Sequence, residues 1–403
     1  MKRVADVVVI GGGIWGLSTA YHLSRRSAGR VLVIDRASEL AAETTSQSAG
    51  QVGQLRGDPV LARAVGYTLQ TLSEFRESTG HDPGFVRSGS IHVALTPARV
   101  TQFRLLEQAA RENGYAANAV SVDQIVGWAP AVHPTPILAA LHLPEDGYVD
   151  ARRCALAYGA AAIDGGAEIL LQQEVLRIRQ SSAHLIIETP DTQIETPRIV
   201  LAGGPWTQRL TREFGFVAPF YPIRLQQART VVDQVADAHP VLRVPDESCY
   251  LRPEGGGYLF GFFDPEPLAI DVDSQPKTVL TKDVDPEPSL IRRAVARLAQ
   301  LLPRLAQLDI AQYRQGMMTC TPDGKFVLGP LPDHPHVFVA TGCGGTGIAA
   351  SAAVGRWLSE WLLDGAPRDD ISQYGPARFA AQTADFAWLR AAARATSAAY
   401  YRL

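Results

Sequence analysis

The sequence predicts a mixed α/β protein (α+β overall), in which a doubly wound, mainly parallel sheet is interleaved with a mainly antiparallel one. Three observations carry this. A β-branched apolar run, Val7 to Ile10, passes through a glycine-rich turn into a segment of helical spacing. The same strand–turn–helix pattern returns near the other end, as Val337 to Ala340, TGCGGTG and Ile348 to Leu363. Between them, Phe85 to Leu95, Leu185 to Thr196 and Tyr250 to Phe263 alternate apolar and polar residues, as half-exposed antiparallel strands do.

In chain order, Val7 to Ile10 reads as a strand buried on both faces, Gly11 to Gly16 as a turn, and Leu17 to Arg26 as a helix with Leu17, Ala20, Tyr21 and Leu23 on its apolar side. Arg30 to Ile34 is a second buried strand ending at Asp35, which completes a βαβ unit. Arg152 to Gly165 is helix-like; Ala167 to Leu171 and Val175 to Arg179 are strand-like; Ile199 to Ala202 is a short buried strand running into Gly203-Gly204. Gly255-Gly256-Gly257 marks a turn, and the proline-rich, acidic Pro265 to Pro288 reads as an irregular surface excursion. These elements place one domain in 1–84, 147–217 and 312–403 and the other in 85–146 and 218–311. The tail from Phe386 to Leu403 carries Trp388, Leu389, Tyr400 and Tyr401, enough apolar surface to dock on the body or on another subunit.

At 403 residues the chain suits two domains, and 46% hydrophobic with 20% charged residues is ordinary for a globular protein. A net charge of -3 gives no electrostatic case for nucleic acid or an anionic membrane. Cys154, Cys249, Cys320 and Cys343 form no C-x-x-C pair, which argues against a metal site or disulfide framework and fits a reducing compartment. No apolar run reaches the roughly 18 residues of a membrane span, and glycines interrupt the apolar start VADVVVIGGGIWGL at turn spacing. A cytoplasmic location is the expectation.

Gly11, Gly13 and Gly16 give G-x-G-x-x-G directly after a strand and at the start of a helix. The first glycine permits the tight turn, the second lets the backbone approach a pyrophosphate, and the third allows close helix–strand packing. The helix N-terminus then faces the phosphates with its partial positive charge. Asp35, at the end of the second strand, suits ribose hydroxyls and disfavours a 2′-phosphate, so NADP is not expected. FAD and NAD share this fingerprint.

The fingerprint, the polar run TTSQSAGQVGQLR, the strand VLAGGPW and the segment TPDGKFVLGPLPDHPHVFVATGCGGTGIAASAAVG together resemble the D-amino-acid oxidase superfamily of flavoproteins. The likeness is to its branch of sarcosine and dimethylglycine dehydrogenases, monomeric sarcosine oxidase and glycine oxidase, and it spans about Val7 to Leu363. It implies FAD, a Rossmann-like FAD-binding domain beside a substrate domain, and oxidation of a C–N bond by hydride transfer to flavin N5. Carried over onto this sequence, the cofactor would meet Gly11, Gly13, Ile14, Trp15, Gly16, Asp35 and Arg36. Thr44, Thr45, Ser46 and Gln47 would reach its phosphates and ribityl oxygens, and the Val175 backbone its adenine. Ala202, Gly203 and Trp206 form the strand-end turn, and Gly342, Gly344, Gly345, Thr346, Gly347 and Ile348 would pass the flavin pyrimidine. The dehydrogenases' flavin-linked histidine falls on Gln47 and the sarcosine oxidases' linked cysteine on Gly316, so the resemblance implies non-covalent FAD, with Cys320 and Cys343 as ordinary small residues.

The resemblance also places a substrate-carboxylate arginine at Arg56, where a planar fork suits the ligand; a structural ion pair is the alternative for that residue. The lysine that completes the clamp falls on Ala349, so either another arginine replaces it, Arg252 first among them, or the substrate is larger and held differently. Tyr250 either closes over substrate or packs as a core aromatic, and Met317 and Met318 either line the pocket or fill the core. The oxidases' lysine above the flavin falls on Leu268-Ala269-Ile270, which favours a dehydrogenase acting on a secondary or N-methyl amine. The expected partners are a small amine or amino acid and an electron acceptor (quinone, electron carrier or O2), with an oligomer or partner subunit possible. Two other readings stay open: a flavin subunit of a larger amine-dehydrogenase complex, and a dinucleotide-binding sensor without turnover.

Overall fold

Alternate residues of the first central strand face two different apolar layers, which explains its unbroken hydrophobic character. In the computed structural model, which describes every residue except 27, 182–183, 275–279, 380–381, 384 and 402–403, Val7–Ile10 lies inside a six-stranded sheet. The order is Glu168–Leu170, Val31–Ile34, Val7–Ile10, Ile199–Leu201, His334–Thr341, Val327–Leu331, parallel except for the final hairpin. Val7, Val9, Val31 and Val33 pack with the helices Ile14–Ser24, Ala151–Asp164, Ser351–Asp364 and Pro59–Thr79. Val8, Ile10, Leu32 and Ile34 pack on the opposite side with Ile178, Ile187 and Ile194. Those three residues belong to a four-stranded sheet whose Leu185–Glu188 and Gln193–Thr196 hairpin is half-exposed, as expected. The edge strand Lys2–Val4 pairs parallel to it and has no signal in the sequence.

An eight-stranded sheet supplies the second wall. Its order is Ile310–Cys320, Tyr221–Thr230, Gly257–Phe262, Cys249–Glu254, Val241–Val244, Ser90–Ala94, Ala139–Leu143, Asn118–Ala119. All its pairings are antiparallel except that between Val241–Val244 and Ser90–Ala94. The 249–262 hairpin turns at the expected glycines. Its strands and Ser90–Ala94 are buried nearly throughout rather than half-exposed. The reason is that the helices Val122–Trp128 and Pro288–Leu298 cover one face of the sheet, while the other face meets Leu55 and the helix Pro97–Glu112 or looks onto the site described below.

Three expectations shift. The strand Ile310–Cys320 pairs with Tyr221–Thr230 along its length, so a domain boundary at 312 would cut a strand. Val175 precedes the strand Arg177–Gln180, and the helix after the second glycine turn starts at Ser351 rather than Ile348. Of the 265–288 excursion, 275–279 lie outside the described residues. The tail forms the helix Phe386–Ala398, whose Leu389 and Ala393 pack on Tyr221, Ile223 and Cys320 of the body; Leu403 lies outside the described residues. Among the described residues no helix is long and apolar enough to cross a membrane.

Candidate active site

Gly11 turns the chain off the central strand with φ +122°, and a Cβ there would sit 2.3 Å from the Ala202 carbonyl oxygen. A Cβ on Gly16 would sit 1.9 Å from the Gly11 carbonyl oxygen, so the helix Ile14–Ser24 presses on the turn as the fingerprint requires. Gly13 caps this helix without a side-chain acceptor, and the Ile14 amide donates to Thr45 Oγ1 at 3.2 Å. The helix N-terminus thus opens into a cavity lined by Gly11, Gly13, Ile14 and Trp15. Asp35 lines it too and accepts from the amides of Gly12 at 2.5 Å and Ala37 at 2.7 Å. Burial raises the Asp35 carboxyl above its ordinary value in spite of those donors. Arg36 lies 3.9 Å from the centre of the Trp206 ring and pairs with Glu43 at 2.9 Å, closing this end of the wall beside Val175, Ala202 and Gly203.

The segment 43–51 crosses the cavity and is tied to both walls. Thr44 Oγ1 donates to the Met317 carbonyl at 3.2 Å, Gln227 Nε2 to the Gln47 carbonyl at 2.5 Å, and Arg252 Nε to the Ala49 carbonyl at 2.5 Å. Trp15 Nε1 donates to the Gly347 carbonyl at 2.8 Å, which fixes the second glycine turn against the first. Thr44, Thr45, Gln47, Gly345, Gly347 and Ile348 line the cavity. Gly16, Ser46, Gly342, Gly344 and Thr346 stand behind its wall: Ser46 bonds the Glu43 carbonyl and Thr346 the Cys343 carbonyl, so both hydroxyls close their own turns.

At the far end the cavity meets the large sheet. Arg243, Tyr250 and Gly261 are direct cross-strand neighbours. A Cβ on Gly261 would lie 2.6 Å from the Tyr250 hydroxyl, so only glycine leaves room for the phenol. Arg56, Arg243 and Tyr250 all line the cavity, together with Met317, Met318 and Leu225. Arg56 Nε, Arg243 Nε and the Tyr250 hydroxyl are buried and have no hydrogen-bond partner among the described residues. Burial, helped by Tyr401 and opposed by Arg243, pushes the Tyr250 phenol well up, so it stays protonated. Burial would lower the Arg243 pKa, but Tyr401, Tyr400 and Asp146 outweigh it and the guanidinium stays charged. Asp146 sits just behind, accepting from Ser90 Oγ at 2.5 Å and the Gln54 amide at 2.9 Å. Burial raises its carboxyl to about 6 although both arginines pull it down.

Arg252 is the correction. It shares a strand and a face with Tyr250, two residues away, but its guanidinium is spent on the Ala49 and Pro253 carbonyls and on Glu254, and lies over the Tyr148 ring. It is outside the cavity wall, and Arg243 stands there instead. The signal for Arg243 was present as a lone charge inside the apolar strand Val241–Val244. Sequence reasoning also missed Gln227, Phe263 and Tyr400, which line the cavity, as does Cys343.

The glycine cradle, the helix terminus and the ribose-side acid fit FAD. The FAD dependent oxidoreductase (DAO) family matches residues 6–361. The chain is 28% identical over 386 residues to 4-methylaminobutanoate oxidase (formaldehyde-forming) of Paenarthrobacter nicotinovorans, covering 95% of this chain and 47% of that protein. It is 30% identical over 394 residues to mitochondrial dimethylglycine dehydrogenase of Homo sapiens, covering 94% of this chain and 45% of that protein. The chain thus spans less than half the length of these two relatives. The solved structure of L-proline dehydrogenase from P. horikoshii superposes with a TM-score of 0.86 at 21% identity, covering 94% of this chain and 99% of that one, which shows the shared fold. The chain belongs to the FAD dependent oxidoreductase (DAO) family, with FAD as its cofactor.

Proposed function

We propose that this chain oxidises the C–N bond of a secondary or N-methyl amine that carries a carboxylate, and that it does so as a dehydrogenase holding FAD without a covalent bond. The observation that carries the reading is a pair of guanidinium groups, the buried Arg243 and the half-buried Arg56, whose Nε atoms are both buried and lack partners among the described residues at the end of the cavity that the dinucleotide fingerprint opens into. A buried charge with an idle donor costs stability unless a ligand meets it. A carboxylate is the planar anion that two guanidinium forks suit. The relatives named above include proteins for 4-methylaminobutanoate and dimethylglycine, both N-methyl amino acids, which supports the same class.

FAD would be held by the Gly11–Gly16 turn, Asp35, the 43–51 segment and the 342–348 turn, and when bound it supplies the two-electron acceptor for the amine. The chain's own residues do the rest. Arg56 and Arg243 fix the carboxylate, the Tyr250 hydroxyl offers a third donor, and Met317, Met318 and Leu225 give the alkyl portion a dry, apolar wall. Asp35, Glu43 and Glu174 are the acids lining the cavity, and the first two mark its cofactor end through Gly12 and Arg36. Among the described residues no histidine lines it, so no imidazole of the cavity wall is placed to take a proton from the amine. Gln47 and Gly316 face each other, with a Cβ on Gly316 4.0 Å from Gln47 Cβ, and neither carries a nucleophile to bond a flavin.

Changing Arg243 or Arg56 to Met tests this. Against a panel of N-methyl amino acids, each variant should raise KM by ~10–100-fold, the value of a charge-assisted hydrogen bond, while keeping its yellow colour. An unchanged KM would remove the carboxylate assignment. Acid precipitation of the wild type should release the colour into the supernatant.

A further inference from the structure

The helix Phe386–Ala398, begun by the Asp385 carboxylate accepting from the Trp388 amide at 2.9 Å, delivers two aromatic residues to the substrate end of the cavity. The Tyr400 ring lies flat on Phe263, with centroids 3.8 Å apart and planes within 7°. Both rings line the cavity. A Cβ on Gly345 would come within 2.9 Å of Met318 Sδ and 3.5 Å of Tyr400 Cε2, so Tyr400 and Met318 occupy the place that a side chain there would take. Tyr401 meets Phe263 and Tyr400 edge-on, at 5.5 Å and 5.1 Å. Its hydroxyl accepts from Arg243 Nη1 at 3.3 Å, and its carbonyl from Arg99 Nη1 at 3.1 Å. Arg99 is itself held by Asp246 at 3.3 Å. Tyr401 is therefore fastened from two sides, by Arg243 of the large sheet and by Arg99 of the helix Pro97–Glu112.

The consequence for Arg243 is directional. With Nη1 engaged by Tyr401, the guanidinium has its Nε–Nη2 edge left, and the Nε of that edge is the one without a partner. That edge is a fork able to meet a carboxylate with two parallel bonds. The stacked pair Tyr400–Phe263, with Met318 beside it, walls this end and limits the width available to whatever the carboxylate carries.

We propose that Tyr400 and Tyr401 are specificity-determining residues of this active site: Tyr400 limits the width of the substrate, and Tyr401 orients Arg243 for its carboxylate. The inference rests on the carboxylate reading above and adds to it two residues far along the chain from the cofactor motifs. Binding of acetate and of benzoate to the FAD-loaded protein, read from the perturbed flavin absorbance, tests it. Tyr401→Phe keeps the ring and should weaken both acids by about tenfold, and Arg99→Ala, which touches no cavity residue but Tyr401's support, should weaken them in the same direction. Tyr400→Ala should move the benzoate-to-acetate affinity ratio about tenfold toward benzoate. Tyr400→Leu, which keeps apolar packing and FAD colour, should move it in the same sense if the alanine variant does not fold. Wild-type constants and an unchanged ratio in the variants would overturn the inference and leave the carboxylate reading standing. Absence of any perturbation by either acid in the wild type would overturn both.

Discussion

Arg243 and Asp146 lie 3.5 Å and 3.2 Å from the same point, the position a Cβ on Gly53 would take, so their charges act together. The Asp146 carboxyl is raised to about 6 by burial, with Ser90, the Gln54 amide, Arg243 and Arg56 pulling the other way. His92, on the neighbouring strand, is held neutral by burial and by the arginines, so it does not share this titration. A folded pKa above the unfolded value of about 4 means that the fold favours the protonated acid. Its contribution to stability is full below pH ~4 and is lost as pH rises through about 6, by about 3 kcal/mol at most. Asp146→Asn should therefore raise Tm relative to the wild type at pH 7.5 and match it at pH 4.5. A bound carboxylate raises the Asp146 pKa further, so binding of acetate should take up a fraction of a proton near pH 6–7 in the wild type and none in the variant, as calorimetry in buffers of different ionisation heat would read. At this scale the family resemblance made Arg56 a candidate and left Tyr250 open between pocket and core; both line the cavity. The sequence hid Arg243, because a single arginine in an apolar strand acquires meaning only when register sets it opposite Tyr250.

The segment 43–51 is the element on which the site turns, since it has little regular structure of its own and borrows its shape from neighbours. Arg252 supplies one of its tethers, through the Ala49 carbonyl, and its planar fork spans to Pro253 and Glu254 as well. Arg252→Ala would take this donor from the Ala49 and Pro253 carbonyls, while Glu254 keeps Arg314, at a cost of about 1–3 kcal/mol. The expected result is a weaker FAD affinity and a lower Tm, with the carboxylate-width selectivity of the surviving holoprotein unchanged, which equilibrium dialysis of FAD and a thermal melt would measure. A variant with wild-type FAD affinity would show the tether to be dispensable. Strand and helix positions were legible because Val7–Ile10 alternates between two apolar layers and so must be apolar throughout, and because glycine spacing is dictated by backbone contact. The role of Arg252 was not, since two residues on one strand face, Tyr250 and Arg252, reach different targets through side-chain length alone.

Across the whole molecule, the site is assembled from segments as distant as Gly11 and Tyr400, and the chain order of those segments was readable while their convergence was not. The family pattern gave the flavin side; the tail read as a docking surface, and only packing brings Tyr400 to the cavity. The same packing bears on the electron acceptor. Ile270 and Val272 pack against Met317 at the cavity wall, and among the described residues no lysine lines the cavity. The dehydrogenase reading proposed above rests on this: where no lysine meets the flavin, negative charge developing on O2 is less stabilised. Reduced protein should be reoxidised by an artificial quinone or dye at least ~10-fold faster than by air-saturated buffer in stopped flow, and rapid reoxidation by O2 would contradict the dehydrogenase reading. The most direct test of the central claim is an anaerobic titration of the yellow protein with sarcosine, dimethylglycine, 4-methylaminobutanoate and proline, followed by its visible spectrum. Complete bleaching by at least one of them, absent in Arg243→Met at the same concentration, is the predicted result; a spectrum that none of them changes would contradict the account.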